Sequence, residues 1–295
     1  MISGRELSKI YPTTTALDQV SFNFRQGEIV GVIGHNGAGK TTLLKILAGL
    51  VQPSTGELMV DGIDVLKNPG RIKEIAGYLP EESRLYESMG VDDYLAFFGE
   101  IYGLSRTAIR DRRARLLQSL SLEPNGKKIG ELSKGMKRKV AIARSLLHDP
   151  SLLIYDEATS GLDPMTSRYI ADYLRELRNG GKTVILSAHN LFQVEAICDR
   201  ILILRRGQVV ADGTMPELRD RFGSIRYRIF FTLSDTGLPE SLESAIVEGG
   251  FFRIDAPDIA EMNQITRKIV DNNGVVERIE SHYPSLEEML VRIGT

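Results

Sequence analysis

One cysteine, Cys198, is all that 295 residues contain. No internal disulfide can form, so a reducing compartment is expected. No charge of either sign dominates: 37 basic side chains against 39 acidic ones leave a formal net charge of −2. That balance argues against a chain whose main task is neutralising nucleic-acid backbones. It leaves room for one small polyphosphate, because a local loop binds such an anion without a global field. Long hydrophobic runs are missing too. The N-terminal MISGRELSKI lacks the apolar core of a secretory signal, and stretches such as Ile29–Ile33 and 184–186 are far too short to cross a bilayer. Any membrane role is expected to come through a partner. There is no internal repeat, no low-complexity tract and no sustained heptad pattern.

What is present is the composition of a folded protein, 42% hydrophobic and 26% charged. The length exceeds that at which single cores stop growing, so one large domain plus a smaller one is expected. Short β-rich runs alternate with helical patterns, which reads as α/β. A continuous apolar strand at 28–33 runs into the glycine-rich GHNGAGKTT. A helix is expected at 42–50, with Leu43, Leu44, Leu47 and Leu50 on one face. From 83 to about 123 the character is mainly helical, and the arginine-rich stretch 106–120 reads as a solvated helix face carrying Ile109, Leu116, Leu117 and Leu120. A helix follows Ser133, with Val140, Ala143, Leu146 and Leu147 at helical spacing. Then come a buried strand at 152–155, a helix at 166–179, and strands at 183–187, 201–204 and 208–211. Beyond Phe222-Gly223, strands at 224–233, 251–254 and 275–279, a helix at 259–270 and a short helix after Ser285 suggest a small α+β appendage.

Three motifs carry chemistry. Gly34-His35-Asn36-Gly37-Ala38-Gly39-Lys40-Thr41 fits G-x-x-x-x-G-K-[ST]. Its glycines let successive backbone N–H groups turn towards phosphate oxygens, and the following helix aims its N-terminus at the same anion. Lys40 would neutralise the β- and γ-phosphates, and the Thr41 hydroxyl would ligate Mg²⁺. The strand at 152–155 ends in Asp156-Glu157. A metal–nucleotide site needs one carboxylate for the metal, which suits Asp156, and one to activate water, which suits Glu157. Leu132-Ser133-Lys134-Gly135-Met136 opens a basic helix, where Ser133 reads equally as an N-cap and as part of a phosphate-binding helix end.

The order of phosphate loop, LSKGM, LLIYDEATSGLD and SAH resembles the nucleotide-binding subunit of ATP-binding cassette (ABC) transporters over about residues 1–222. The resemblance implies a P-loop NTPase cassette, with a RecA-like core, an antiparallel β subdomain and a helical subdomain at about 83–150. Residues 223–295 would be the accessory α+β domain. It implies ATP and Mg²⁺ as ligands. Tyr11 would stack on adenine, Ala16 would make a lesser contact, and residues 34–41 with Thr42 would hold the phosphates. Ser133, Lys134, Gly135 and Met136 would act in trans on the nucleotide held by a second protomer, and Asp163, in the turn Ser160–Asp163, would link the two sites. Glu157 and His189 would be catalytic, His189 contacting the γ-phosphate. Glu81 stands where the family usually has glutamine. A carboxylate also binds Mg²⁺, together with Thr41 and Asp156, but repels a γ-phosphate at close approach, so the metal role is expected for it and the water-positioning role is not. Lys134 and Met136 replace the commonest glycine and glutamine of the signature, while Ala158 and Tyr155 depart from the pattern without a functional reading.

LSKGM, Glu81 and the tail PSLEEMLVRI resemble the ABC-2 branch, mostly exporters. The expected function is an ATPase subunit at the cytoplasmic face of the membrane. Closing head to tail with a second copy or a homologous subunit, it would power a separately encoded permease and bind no nucleic acid. The alternative is a soluble ABC ATPase acting on nucleic acid or ribosomes. Cys198 reads as a small buried hydrophobe, and His35, His148 and His282 have no metal-ligand spacing.

Overall fold

The computed structural model describes residues 1–223, 225–233 and 238–294. Its first strands, β1 (Ile2–Tyr11) and β2 (Thr14–Phe24), form an antiparallel pair in which Ile2 faces Phe24 and Tyr11 faces Thr14. β3 (Ile29–Ile33) is buried at all five positions and leads through the glycine loop into α1 (Lys40–Leu47). β4 (Thr55–Val60) and β5 (Ile63–Asp64) return to the first pair, giving a four-stranded sheet in the order β2-β1-β4-β5. α2 (Pro69–Ile75) then precedes β6 (Ala76–Leu79).

The helical stretch holds α3 (Val91–Ile101), α4 (Arg106–Ser119) and α5 (Lys134–Leu146). β7 (Leu152–Asp156), α6 (Pro164–Asn179), β8 (Thr183–Ser187), α7 (Leu191–Ile197), β9 (Arg200–Arg205) and β10 (Gln208–Gly213) complete the second sheet. Its order is β10-β9-β3-β8-β7-β6, parallel except for the β9–β10 pair. The carboxyl ends of β3, β7 and β8 therefore lie side by side, where open α/β sheets bind ligands.

α1 runs from Lys40 to Leu47, so it starts two residues before the expected 42–50 and stops three before it. Gly49, at φ +65°, donates to Ile46 O, and Leu50 N donates to Lys45 O, a left-handed stop that the leucine spacing does not reveal. Leu43, Leu44, Ile46 and Leu47 are fully buried in a core with Leu17, Phe24, Val32 and Ile154. Each such burial contributes about 1.5–3 kcal/mol. The helix that follows the glycine loop is thereby clamped between the two sheets.

Gly39 shows how tight the loop is. It holds φ +105°, and a Cβ there would overlap the Ala16 carbonyl oxygen. Gly39→Ala is expected to cost roughly 1–3 kcal/mol in backbone strain alone. A urea unfolding curve whose midpoint matches the wild type would contradict this.

The chain divides into two compact units, residues 1–215 and 216–295. α8 (Met215–Phe222) goes with the second, because Arg219 Nε donates to Pro284 O and Arg292 Nη1 to Phe222 O; the expected boundary at 222 is the end of this helix. In the second unit β11 (Arg226–Leu233), β12 (Ile246–Glu248), β13 (Phe251–Ala256), α9 (Ile259–Asp271), β14 (Gly274–His282) and α10 (Leu286–Gly294) follow. The sheet order is β12-β13-β11-β14, with every pair antiparallel. α9 packs Ile265 and Ile269 on Ile229, Phe231 and Ile254. The expected strand at 224–233 begins at Arg226, and Ser224 lies outside the described residues.

Candidate functional site

The loop between β3 and α1 is a backbone cradle. Gly34, Gly37 and Gly39 all adopt positive φ, and a Cβ at Gly34 would overlap the Leu204 carbonyl oxygen. No side chain caps the N-terminus of α1, so its first N–H groups stay available to an anion. Lys40 is buried, and its ammonium donates to Gly34 O at 2.7 Å and His35 O at 3.2 Å. Burial pulls this ammonium below its ordinary range, while the charges of Glu157, Asp156 and Glu81 oppose the shift. The cation thus shares one electrostatic neighbourhood with three carboxylates from two other segments. Ala38 is buried, whereas His35, Asn36 and Thr41 are exposed and Thr42 is half-buried.

At the end of β7, Asp156 is buried and its Oδ1 accepts from Ser187 Oγ at 2.5 Å. The next residue, Glu157, turns into left-handed backbone at φ +53°. Its N–H donates to Ser187 Oγ at 3.0 Å, so one hydroxyl fixes both acidic residues. Glu157 is 5% exposed. Its Oε1 lies 3.1 Å from His189 Nε2 but makes no hydrogen bond. Burial raises its carboxyl above the ordinary glutamate range, Asp156 and Glu81 add to the rise, and His189 and Lys40 oppose it. His189 is half-exposed, beside a groove of about 760 Å³ that also reaches Ser160, Leu162 and Phe192.

Tyr11 closes β1, 39% exposed as a residue, with Lys9 Nζ 5.1 Å from its ring centre. The Ala16 carbonyl packs on Gly39 and Gly207, which puts β2 directly against the glycine loop. Ser133 caps α5, its Oγ accepting from Met136 N at 3.3 Å. Gly135 lies against the Thr166 side chain, and Lys134 Nζ against Gly161. The Asp163 carboxylate caps α6 by accepting from Thr166 N at 2.9 Å. The LSKGM turn and the SGLD turn are therefore neighbours within one chain. Glu81 is exposed, on a groove of about 600 Å³ with Lys134 and Leu162.

This constellation has close relatives. The family pattern described as ABC transporter matches residues 17–160. The ABC transporter ATP-binding protein NatA of Bacillus subtilis (strain 168) is 38% identical over 205 residues, 69% of this chain and 83% of NatA. The chain belongs to the ABC transporter ATP-binding proteins.

The linearmycin resistance ATP-binding protein LnrL of the same organism is 36% identical over 224 residues, 76% of this chain and 72% of LnrL. The ABC transporter ATP-binding protein YxlF, also of Bacillus subtilis, is 32% identical over an alignment covering 99% of both chains, so its similarity extends through the second unit. A solved ATP-binding subunit of an ABC transporter matches this cassette with TM-score 0.69 at 34% identity, covering 75% of this chain and 93% of that one. The dimeric post-hydrolysis state of the ATP-binding cassette MJ0796, bound to ADP and Pi, matches with TM-score 0.67 at 26% identity, covering 73% and 99%.

Two groups of the cassette escape the motif reading. Ser187 falls inside the apolar strand TVILS and looks like its polar end, yet it is fully buried and bridges Asp156 to Glu157. Arg138 sits in the basic run 137–139, to which the motifs assign no individual role, and it is only 8% exposed. The signal was there in the helical spacing. Arg138, Ile142 and Ser145 share the buried stripe of α5, and a cation on that stripe must find acceptors. Tyr155 is fully buried, and its hydroxyl lies 2.8 Å from Ser145 Oγ, so it joins β7 to α5.

Proposed function

We propose that this ABC ATP-binding protein hydrolyses ATP to drive a separately encoded membrane permease, as an exporter subunit of the ABC-2 branch. The observation that carries the hydrolytic part is Glu157. A buried carboxylate with a raised affinity for protons, an oxygen without a hydrogen bond, and a lysine cation within electrostatic reach is poised to take a proton from water.

In this reading the glycine loop and the free N–H groups of α1 bind the phosphates, and Lys40 leaves its two carbonyl acceptors to neutralise the β- and γ-oxygens. Tyr11 and Ala16 line the base side. His189 and Glu157 converge on the terminal phosphate from β8 and β7. Mg²⁺ fits the donor set of Thr41, Asp156 and Glu81, which offers one hydroxyl and carboxylate oxygens, the hard donors this ion takes alongside phosphate and water, and no sulfur or imidazole. These residues would hold it, and it would supply positive charge to offset that of the β- and γ-phosphates.

Two copies would pair head to tail, with Ser133, Lys134, Gly135 and Met136 of one facing the phosphates of the other and Asp163 near the seam. That the related cassette MJ0796 is dimeric when bound to ADP and Pi supports the pairing of two copies. ATP would bind the closed pair better than the open one, the differential affinity that any ligand-driven movement requires. Closure would reach the permease through the 81–87 loop and the exposed apolar side chains Tyr86, Phe97 and Ile101. No helix among the described residues is long and apolar enough to cross a membrane, so contact with the bilayer would come through that permease, at its cytoplasmic face. The name of LnrL, a resistance protein, favours export.

Action on nucleic acid or ribosomes is less favoured, since the longest helix described has 16 residues and the net charge is −2. The test is isolation of the chain from membranes with its bound partners. An integral membrane protein whose reconstitution stimulates phosphate release is the expected result. Recovery of ribosomes or DNA instead would reject the reading.

A further inference from the structure

Six acceptors surround the single guanidinium of Arg138. Nε donates to Ala158 O at 2.9 Å, and Nη2 donates to Asp156 O at 2.9 Å and Glu157 O at 2.8 Å. Nη1 donates to Pro80 O at 2.7 Å, Glu81 O at 3.0 Å and Ser83 Oγ at 3.2 Å. Five N–H groups meet six oxygens, so the fork is saturated. None of these acceptors is a carboxylate. The group is held by three consecutive carbonyls around the left-handed Glu157 and two more at Glu81. Burial lowers its pKa to about 10, and it stays charged at neutral pH.

Arg138 is borne on α5, one turn beyond the Ser133 cap and the LSKGM turn. Seven residues on, Ser145 of the same helix face meets the Tyr155 hydroxyl. α5 is thus bolted at two points to the strand and turn that carry Asp156 and Glu157. The first bolt also grips the Glu81 segment. Any shift of the LSKGM end of α5 must move the Glu157 backbone and the Glu81 backbone together, because one rigid planar group spans both.

We propose that Arg138 is a positioning residue that couples the LSKGM turn to Glu157 of the same chain. Engagement of that turn by a nucleotide held on a second copy sets the geometry of the water-activating carboxylate. This deepens the head-to-tail reading above and rests on it. Its N–H groups are all spent on protein oxygens, so it acts through the backbone it holds. It makes the LSKGM end of one site a determinant of the hydrolytic end of the other.

The test compares the full-length wild type with Arg138→Lys, Arg138→Gln and Ser83→Ala. Phosphate release is measured against ATP concentration, with thermal unfolding and MgATP-driven dimerisation measured in parallel. Arg138→Lys keeps the charge and the stem but loses the fork. Its kcat is expected to fall at least 30-fold, with KM for ATP within threefold and dimerisation retained. Ser83→Ala, which removes one acceptor, is expected to fall by less than fivefold. Should Arg138→Gln fail to fold, Arg138→Lys and Ser83→Ala carry the comparison. A wild-type kcat in Arg138→Lys overturns the proposal. So does a loss of kcat that only tracks a lowered unfolding temperature, with KM and dimerisation lost alongside. An inactive wild type would instead reject the ATPase reading on which the proposal stands.

Discussion

Glu157→Gln is expected to bind MgATP as tightly as the wild type, to accumulate as a dimer, and to turn over about a thousandfold more slowly, within the range that a general base contributes. Glutamine keeps the size of the side chain. The backbone N–H at position 157 keeps its bond to Ser187 Oγ, and the Arg138 bond to the carbonyl of the same residue is untouched. Only the ability to accept a proton is removed. Size-exclusion chromatography with and without MgATP reports the dimer, and single-turnover phosphate release reports the chemistry. A residual rate above a tenth of the wild type would remove Glu157 from the role of base.

The pH profile adds an independent check. The base must be deprotonated to work, and burial raises the Glu157 carboxyl above the ordinary glutamate range. Wild-type kcat/KM should therefore fall as pH drops through a value above that range, because this profile reports the free enzyme. In Glu157→Gln that acid limb should disappear.

The second large effect is expected at Lys40. Lys40→Met keeps the buried stem and removes the ammonium. The loss of a charge-assisted partner for phosphate should weaken ATP binding by roughly two to three orders of magnitude, the scale of truncating one side of a buried charged pair at about 2–5 kcal/mol. A further consequence separates this from a simple loss of contact. The Lys40 charge holds down the proton affinity of Glu157, so any residual activity of Lys40→Met should have its acid limb moved to higher pH. Equilibrium binding of a fluorescent nucleotide measures the first effect. An affinity within threefold of the wild type would show that the loop alone carries the anion.

The phosphate loop, the Asp156-Glu157 strand end and the LSKGM helix are legible in the sequence as elements because each is local, a strand, a turn or a helix start within a dozen residues; His189 stands out only through the family resemblance. What escaped reading is non-local or irregular. β1 and β2 do not alternate cleanly, since left-handed residues at Glu6 and Gln19 and register shifts after Gly4 and Leu7 break the two-residue period. α7 has seven residues, too few for a helical repeat to declare itself. Arg138 does not stand out between Lys137 and Lys139, because its acceptors lie in two other segments, 80–83 and 156–158. Tyr155 had no assigned purpose until Ser145, ten residues away, supplied its partner.

The wall behind the glycine loop is the last part of the cassette to leave the ribosome. Gly34 packs on the Leu204 carbonyl, Gly207 N donates to Ala38 O at 3.1 Å, and Asp18 N donates to Gly207 O at 2.8 Å. β9 also pairs directly with β3. A nascent chain that has exposed GHNGAGKTT therefore lacks the edge that holds it in shape until roughly 165 more residues have been made, which is about 10–30 s of synthesis at ordinary elongation rates. During that interval the loop has no finished cradle, and nucleotide capture waits for β9 and β10 to dock.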